Sequence, residues 1–418
     1  MPILEENFTF ADLFSGIGGF RLAMEHYSNN HAVCIYSSEI NNHAANTYEL
    51  NFNQRPLGDI REINPLEHNF ASPEVICGGF PCQTFSKGGN QAGFKDSRGT
   101  LFREIIRLIE CYEYNQRPKI LILENVANLI THDKGETWKA IKHEISQVGY
   151  NVIEKPIVAA PKDFRIPQLR NRAIILAVRN DIYNEPIELE IPKVKSNTTS
   201  ITSIIQNDLT PEEKERYALN ENEIKILTCW QEFIDFIPTT ERVIGFPIWS
   251  DEFGKDYDIT DEKKYPTWKQ DIIQKNRNLY KKHKEDIDKW LKKWNIRNDF
   301  SPTQRKFEWQ VGNHITSIFQ GIIQFRTSGI RVKRPTESPA LVAMDHRPIY
   351  GPLQRYITPV EAARLQSFPD DYQFEEPTRE IYKQLGNAVN VSVIQNVFEI
   401  FINYLNEKLE GERNEHNN

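Results

Sequence analysis

Along the first 180 residues, short apolar runs alternate with stretches whose apolar positions recur every three or four residues. The runs predict strands at 8–14, 32–37, 74–77, 119–123, 152–158 and 172–178. Several are continuous, as in Ile-Leu-Ile-Leu at 120–123, the pattern of a strand buried on both faces. Helical patterns fall between them, at about 18–28, 100–115 and 135–148. In the second, Ile105, Ile106, Leu108 and Ile109 follow Thr100-Leu101-Phe102. This alternation predicts an α/β fold with a mostly parallel, doubly wound sheet.

Beyond residue 185 the pattern changes. Residues 186–310 are polar with broken periodicity and predict a separate, irregular domain. Residues 311–350 turn apolar and β-branched, punctuated by Gly and Pro. Near the end, Ile394, Val397, Phe398, Phe401, Tyr404 and Leu405 follow helical spacing, and GERNEHNN predicts a frayed polar tail.

Composition narrows the classes. Of 418 residues, 39% are hydrophobic, and 23 Phe, 16 Tyr and 7 Trp can fill a large core, which excludes wholesale disorder. No run approaches the roughly 18 apolar residues of a spanning helix, so no membrane association is expected. The start, MPILEENFTF, lacks a signal-peptide pattern, and a cytosolic protein is expected. The five cysteines (34, 77, 82, 111, 229) have no metal spacing, so neither a metal site nor a disulfide scaffold is expected. The net charge of −7 argues against a polyanionic partner, but residues 261–310 carry 14 Lys+Arg against 8 Asp+Glu. A basic patch can hide under an acidic mean.

Four constellations carry chemistry. The first, Asp12-Leu13-Phe14-Ser15-Gly16-Ile17-Gly18-Gly19, sits between a predicted strand and helix. Its glycines let backbone approach a ligand or simply make a tight turn. It is not a P-loop, and Arg21 stands where a dinucleotide fingerprint needs its third Gly. Glu39 follows the second strand and Asp59 the next extended stretch, so two carboxylates suited to an adenosine-type ligand share that edge. The second constellation, Gly78-Gly79-Phe80-Pro81-Cys82-Gln83-Thr84-Phe85-Ser86, follows a buried strand. A free Cys is usually a small buried hydrophobe, and Cys77 fits that role. Cys82, past the strand end after a Pro, is the better nucleophile. The third is Leu123-Glu124-Asn125-Val126, whose carboxylate closes a strand at the same edge. The fourth, Gln168-Leu169-Arg170-Asn171-Arg172, aligns three planar donors on one face if extended, for phosphate or base edges or as a solvated strand start.

These blocks, with Ser37-Ser38-Glu39-Ile40, Gly58-Asp59-Ile60, Arg364-Leu365-Gln366-Ser367-Phe368-Pro369-Asp370 and Gln384-Leu385-Gly386-Asn387-Ala388-Val389, resemble in order and spacing the cytosine-C5 DNA methyltransferases. The resemblance covers about 8–180 and 355–395. It implies a Rossmann-like, S-adenosyl-L-methionine-binding catalytic domain over 1–185, completed by 378–418. A smaller, mixed target-recognition domain would span 186–377, with DNA in the cleft between them. Residues 328–332 (Ser-Gly-Ile-Arg-Val) and the PALVAM run resemble the end of that recognition domain.

The resemblance also implies roles. Cys82 would add to cytosine C6, Glu124 would bind or protonate N3, and Arg172 would hold O2, with Arg170 and Gln168 positioning the loop. Asp12, Phe14, Ser15, Gly16, Ile17, Gly18 and Gly19 would line the methionine side of the cofactor. Glu39 and Ile40 would serve the ribose, Asp59 and Ile60 the adenine, and Pro81, Leu101, Asn387 and Ala388 would complete the pocket. Thr84 through Gly99 resembles the family's loop that closes on DNA, making Gln83, Ser86 and Arg98 DNA contacts. Arg326, Arg331, Lys333 and Arg334 are the other basic cluster expected on DNA. The implied protein methylates a flipped-out cytosine in a specific double-stranded DNA sequence. It works as a monomer and protects that DNA from a restriction endonuclease without a stable complex with it. Asn41 departs from the family's usual Asp, and GNAV from its commoner GNSV, without touching a catalytic group.

Three other classes fit less well. RNA cytosine-C5 methyltransferases typically carry a second cysteine where this chain has Glu124. A NAD-linked oxidoreductase would need the missing glycine and a hydride-site His. A non-catalytic DNA-binding module would not need Cys82, Glu124 and a cofactor pocket together.

Overall fold

Phe8 and Phe10 point to one side of the first strand, and Ala11 and Leu13 to the other, so helices must cover both faces of the sheet they begin. The computed structural model describes residues 2–81, 100–191, 200–241, 245–343 and 347–416. It divides into two compact units. One comprises Met1–Thr198, Val342–Met344 and Ala362–Asn418, and the other Thr199–Leu341 and Asp345–Glu361.

The first unit is built on a seven-stranded sheet in the order β2-β1-β3-β4-β8-β5, with β6 also pairing β8. Its strands are β1 (Thr9–Leu13), β2 (Val33–Ser37), β3 (Val75–Gly78), β4 (Ile120–Val126), β5 (Tyr150–Val152), β6 (Ile157–Ala159) and β8 (Arg172–Arg179), with the short β7 (Gln168–Leu169) before β8. β2, β1, β3 and β4 run parallel, and β8 runs antiparallel to β4, β5 and β6. The helices are α1 (Gly19–Tyr27), α2 (Asn42–Phe52), α3 (Thr100–Glu110) and α4 (Glu136–Gln147). On one face, Phe102, Ile105, Leu108 and Ile109 of α3 and Trp138, Ile141 and Ile145 of α4 pack on Ala11, Leu13, Ile76, Leu121 and Leu123. On the other, Phe8 meets Phe398 at 6.0 Å between ring centres, and Tyr27 meets Phe398 edge-on at 4.9 Å. Removing the buried Phe398 ring would cost about 3–5 kcal/mol.

The structure refines the sequence reading in three places in this unit. The run 152–158 breaks into β5 and β6, because Pro156 between them has no N–H for a ladder. The weakly amphipathic α2 gave no clear periodicity, but Asn41 caps it by accepting from the Ala44 N–H. The tail helix does not fray at GERNEH but continues to His416. Thr378–Gly411 has the length and composition to cross a membrane, yet two thirds of its most apolar 18 residues is buried within the protein.

In the second unit, much of 200–310 is helical rather than irregular chain. The helices are α5 (Pro211–Tyr217), α6 (Glu221–Phe236), α7 (Thr267–Lys282), α8 (Lys284–Lys293) and α9 (Ile296–Asp299). Apolar positions of α6, α7, α8 and α9 converge on the core around Trp230, which stacks on Phe307 at 4.8 Å and meets Trp290 at 5.1 Å. α6 buries Ile226, Leu227, Trp230, Phe233 and Ile234 at helical spacing, but α7, α8 and α9 each bring few apolar residues, which is why little periodicity shows over the rest. The sheet here has the order β15-β14-β11-β12-β10-β9, from β9 (Ile248–Trp249), β10 (Lys306–Gln310), β11 (Ile322–Arg326), β12 (Gly329–Lys333), β14 (Ile349–Tyr350) and β15 (Arg355–Tyr356). The two-residue β13 (Ser338–Pro339) precedes β14. After α10 (Pro359–Leu365), the chain completes the first unit with α11 (Thr378–Asn387) and α12 (Val391–His416).

Candidate active site

After β1 the chain turns through Phe14 and Gly16, each with φ 54°. For a bulky residue such as Phe this left-handed backbone is rare, costs on the order of 1–3 kcal/mol, and persists only where neighbours hold it. The end of β2 does so: the Phe14 N–H donates to Ser38 Oγ (3.0 Å) and the Ser15 N–H to the Ser38 carbonyl (2.8 Å). The next residue, Glu39, accepts from the Gly16 N–H at Oε2 (2.9 Å) and from the Asn41 N–H at Oε1 (2.7 Å). Burial pushes the Glu39 pKa up, and those backbone donors oppose the shift. A Cβ on Gly16 would meet nothing within 4 Å.

These residues border a cavity of about 640 Å³ in the first unit. It brings together Phe14, Gly16, Glu39, Ile40, Asp59, Ile60, Pro81, Leu101, Glu124, Arg170, Arg172 and Asn387, from eight separated stretches of chain. Ile40 leaves 69% of its surface open, so a large apolar side chain stands bare at the cavity. Arg61 grips Asp59, its Nε 3.0 Å from each carboxylate oxygen, and holds that carboxyl below its ordinary range. Sequence reasoning missed Ser38, Asn41, Gly58, Arg61, Gly79, Phe80, Asn125, Val126 and Gly386, which also line the cavity. All of them lie in or beside the quoted blocks, so nearness to a motif was the available signal.

Asp12, Ser15, Ile17, Gly18, Gly19, Gln168 and Ala388 do not line the cavity. Both Asp12 oxygens are buried without a hydrogen-bond partner. Burial pushes its pKa up to about 8, against the pull of the Arg21 charge. A Cβ at Gly19 would fall 2.8 Å from Val389 Cγ2 and 3.0 Å from the Val389 carbonyl, so the glycine admits the last block against α1. Tyr372 caps the same loop by donating its hydroxyl to the Ile17 carbonyl. Gln366 donates to the Leu385 (2.6 Å) and Ala388 (3.1 Å) carbonyls, locking the two C-terminal blocks together.

At the other end of the cavity, Glu124 lies inside β4, paired with Ile174 of β8, while Arg172 pairs with Val126. Arg172 Nε is 2.7 Å from Glu124 Oε1. The two form an ion pair but are not aligned as a hydrogen bond. Asn125 points the other way and donates to the Phe80 carbonyl (3.1 Å), tying β4 to the chain just before Pro81. Arg170 is buried and donates from Nη2 to the Ala388 carbonyl (3.1 Å). Burial, then the like charge of Arg172, pull its pKa down to about 9, so it stays charged at neutral pH. Gln168 is fully buried, with neither amide atom hydrogen-bonded. Cys82, Gln83, Ser86 and Arg98 lie outside the described residues.

In the second unit, Arg326 and Arg331 both pair with Glu308, Lys333 is partly buried, and Arg334 is exposed. Much of the positive charge of 261–310 is neutralised within that unit. Lys275 pairs with Asp271, Lys282 with Glu241, Lys284 with Asp288 and Lys293 with Glu232.

The mixed sheet, helices on both faces and a cavity at its edge define a methyltransferase-type α/β fold. The chain superposes on the S. pombe Dnmt2 methyltransferase with a TM-score of 0.52 at 18% identity. It superposes on the Entamoeba histolytica methyltransferase EhMeth with a TM-score of 0.54 at 16% identity. Each match covers 96% of this chain and 99% of the other. The C-5 cytosine-specific DNA methylase family model matches residues 8–403. The type II methyltransferase M.AluI of Cellulosimicrobium cellulans is 31% identical over 93% of this chain and 91% of its own length. M.HhaI of Haemophilus parahaemolyticus is 29% identical over 92% and 91%. The chain belongs to the C-5 cytosine-specific DNA methylase family.

Proposed function

We propose that this protein methylates C5 of a cytosine within a specific double-stranded DNA sequence, using S-adenosyl-L-methionine. The observation that carries this reading is one cavity holding both Glu39, with its backbone-anchored carboxylate, and the Pro81, Glu124 and Arg172 edge. The residues fit the cofactor. Glu39 keeps lone pairs for a ribose diol, Ile40 offers a bare apolar surface to a base, and Gly16 leaves open space for a methionine chain. Bound there, S-adenosyl-L-methionine supplies the electrophilic methyl that cytosine C5 takes up.

The chain's own residues make C5 nucleophilic. The Cys82 thiolate adds to C6, and Glu124 protonates N3 so that ring charge is drawn off as the bond forms. Arg172 holds O2 while its charge keeps Glu124 in place, and Arg170 and Gln168 position the strand that carries it. Loss of the C5 proton to a base then expels the Cys82 thiolate, and N3 returns its proton to Glu124, restoring the neutral aromatic ring. The target carbon is stacked in a duplex, so the cytosine is flipped out at a cost of a few kcal/mol. The second unit acts as the target-recognition domain, with Arg326, Arg331, Lys333 and Arg334 on DNA. The protein works as a cytoplasmic monomer and protects DNA from a restriction endonuclease.

The test is transfer of labelled methyl to duplex DNA, comparing wild type with Cys82→Ser and adding RNA as competitor. Label on DNA cytosines, lost in the variant, supports the reading, and bisulfite sequencing then gives the site. Retained transfer by Cys82→Ser sinks the mechanism, and label on RNA alone sinks the substrate.

A further inference from the structure

Strands β11, β12 and β10 place Gln324, Arg331 and Glu308 side by side on one face of the second unit's sheet. The opposite face carries Phe307, Trp309, Ile323, Ile330 and Val332 into the core. Glu308 is a hub on the polar face. Its Oε1 accepts from Arg326 Nη2 at 2.5 Å, and its Oε2 from Arg331 Nε at 3.0 Å and Gln310 Nε2 at 2.9 Å. Arg326 reaches it diagonally across β12, where its own cross-strand partner is Gly329, with no side chain in the way.

The charges on this patch do not balance. Arg326 and Arg331 share the single carboxylate of Glu308, with Lys333 near both arginines and Glu337, and the two arginines keep only 13% and 24% of their side chains exposed. Burial and the nearby Arg331 pull the pKa values of Arg326 and Lys333 down. Arg326 Nε is buried with no hydrogen-bond partner. Among the described residues, the terminal nitrogens of Arg331 make no hydrogen bond. Half-desolvated cations held together at such cost are ready for an anionic or acceptor-rich ligand. A guanidinium fixed through Nε presents its two terminal nitrogens as a planar fork, which matches O6 and N7 of guanine in the major groove.

We infer that Glu308 is the positioning residue for sequence reading, holding the Arg331 fork in the orientation that selects guanine near the target cytosine, with Arg326 gripping the same carboxylate from the other side. This rests on the proposed DNA cytosine methylation. Its role is orientation rather than attraction, because a carboxylate on the DNA-facing side opposes phosphate binding.

The experiment methylates a random-sequence duplex pool and reads product cytosines by bisulfite sequencing, for wild type, Glu308→Gln and Arg331→Lys. Wild type is expected to confine methylation to one motif containing guanine. Glu308→Gln is expected to lose about tenfold or more discrimination at one or two guanine positions, while binding labelled S-adenosyl-L-methionine as wild type does. Arg331→Lys keeps the charge but not the fork, so it should relax one of those same positions. It also serves if Glu308→Gln fails to fold. A motif equally sharp in Arg331→Lys and in any folded Glu308→Gln overturns the inference while leaving cytosine methylation standing. If wild type methylates no duplex cytosine, the proposed function itself fails and the inference falls with it.

Discussion

Arg172 Nε stands 2.7 Å from Glu124 Oε1, on adjacent antiparallel strands and without hydrogen-bond alignment. The pair holds the carboxylate by charge and leaves that oxygen's hydrogen-bonding capacity unused. Glu124→Gln keeps the shape but removes the proton-carrying group. We expect kcat to fall by about 10²–10⁴-fold with S-adenosyl-L-methionine affinity unchanged, checked by single-turnover transfer and by equilibrium binding. A kcat within a factor of a few of wild type would remove Glu124 from the chemistry.

Glu39 accepts a backbone N–H at each carboxylate oxygen. Glu39→Gln must turn an NH2 group toward one of those donors. The Gly16 donor is half-buried and the Asn41 donor exposed, so an unmet one costs about 1 kcal/mol, and cofactor affinity should weaken about fivefold, measured by calorimetry. Unchanged affinity would mean that Glu39 only shapes the turn.

Asp12 predicts a pH signature. Its folded pKa of about 8 lies above the ordinary 3.8, so between those values the folded protein holds a proton that the unfolded chain has released. Stability from this group therefore declines as pH rises through that window and is lost above about pH 8. Asp12→Asn cannot ionise, and the Tm of wild type should fall more steeply from about pH 5 to 8 than that of the variant. Parallel Tm curves would show that Asp12 does not bury a proton.

Gly386 lies beside Val342, where an added Cβ would sit 2.4 Å from its carbonyl carbon and 2.5 Å from its oxygen. Backbone cannot yield as a flexible side chain does, so Gly386→Ala should destabilise by about 1–3 kcal/mol. Because Gly386 and Asn387 both border the cavity, cofactor affinity should drop as well. Normal thermal unfolding with normal binding would count against this packing.

Much of the site was legible because its residues lie in short blocks at strand ends. Phe14, Glu39, Asp59, Pro81 and Glu124 could each be placed from a strand pattern and the residue after it, and the cavity brings all five together. What escaped was set by packing. Arg61 adjoins a quoted block, but its grip on Asp59 depends on the turn that Asp59 caps, and the aromatic centre at Trp230 gathers residues from α6, α8 and β10.

By itself the sequence determined the strand and helix alternation of the first unit, because burial on two faces writes continuous apolar runs and burial on one writes a helical period. It also determined the family, through motif order. Only the tertiary structure decided which distant blocks support one another: Val389 against Gly19, Gln366 on the Ala388 carbonyl, and Glu308 between Arg326 and Arg331. Those pairings depend on strand order and on the way chain ends fold back, and neither leaves a period in the local sequence.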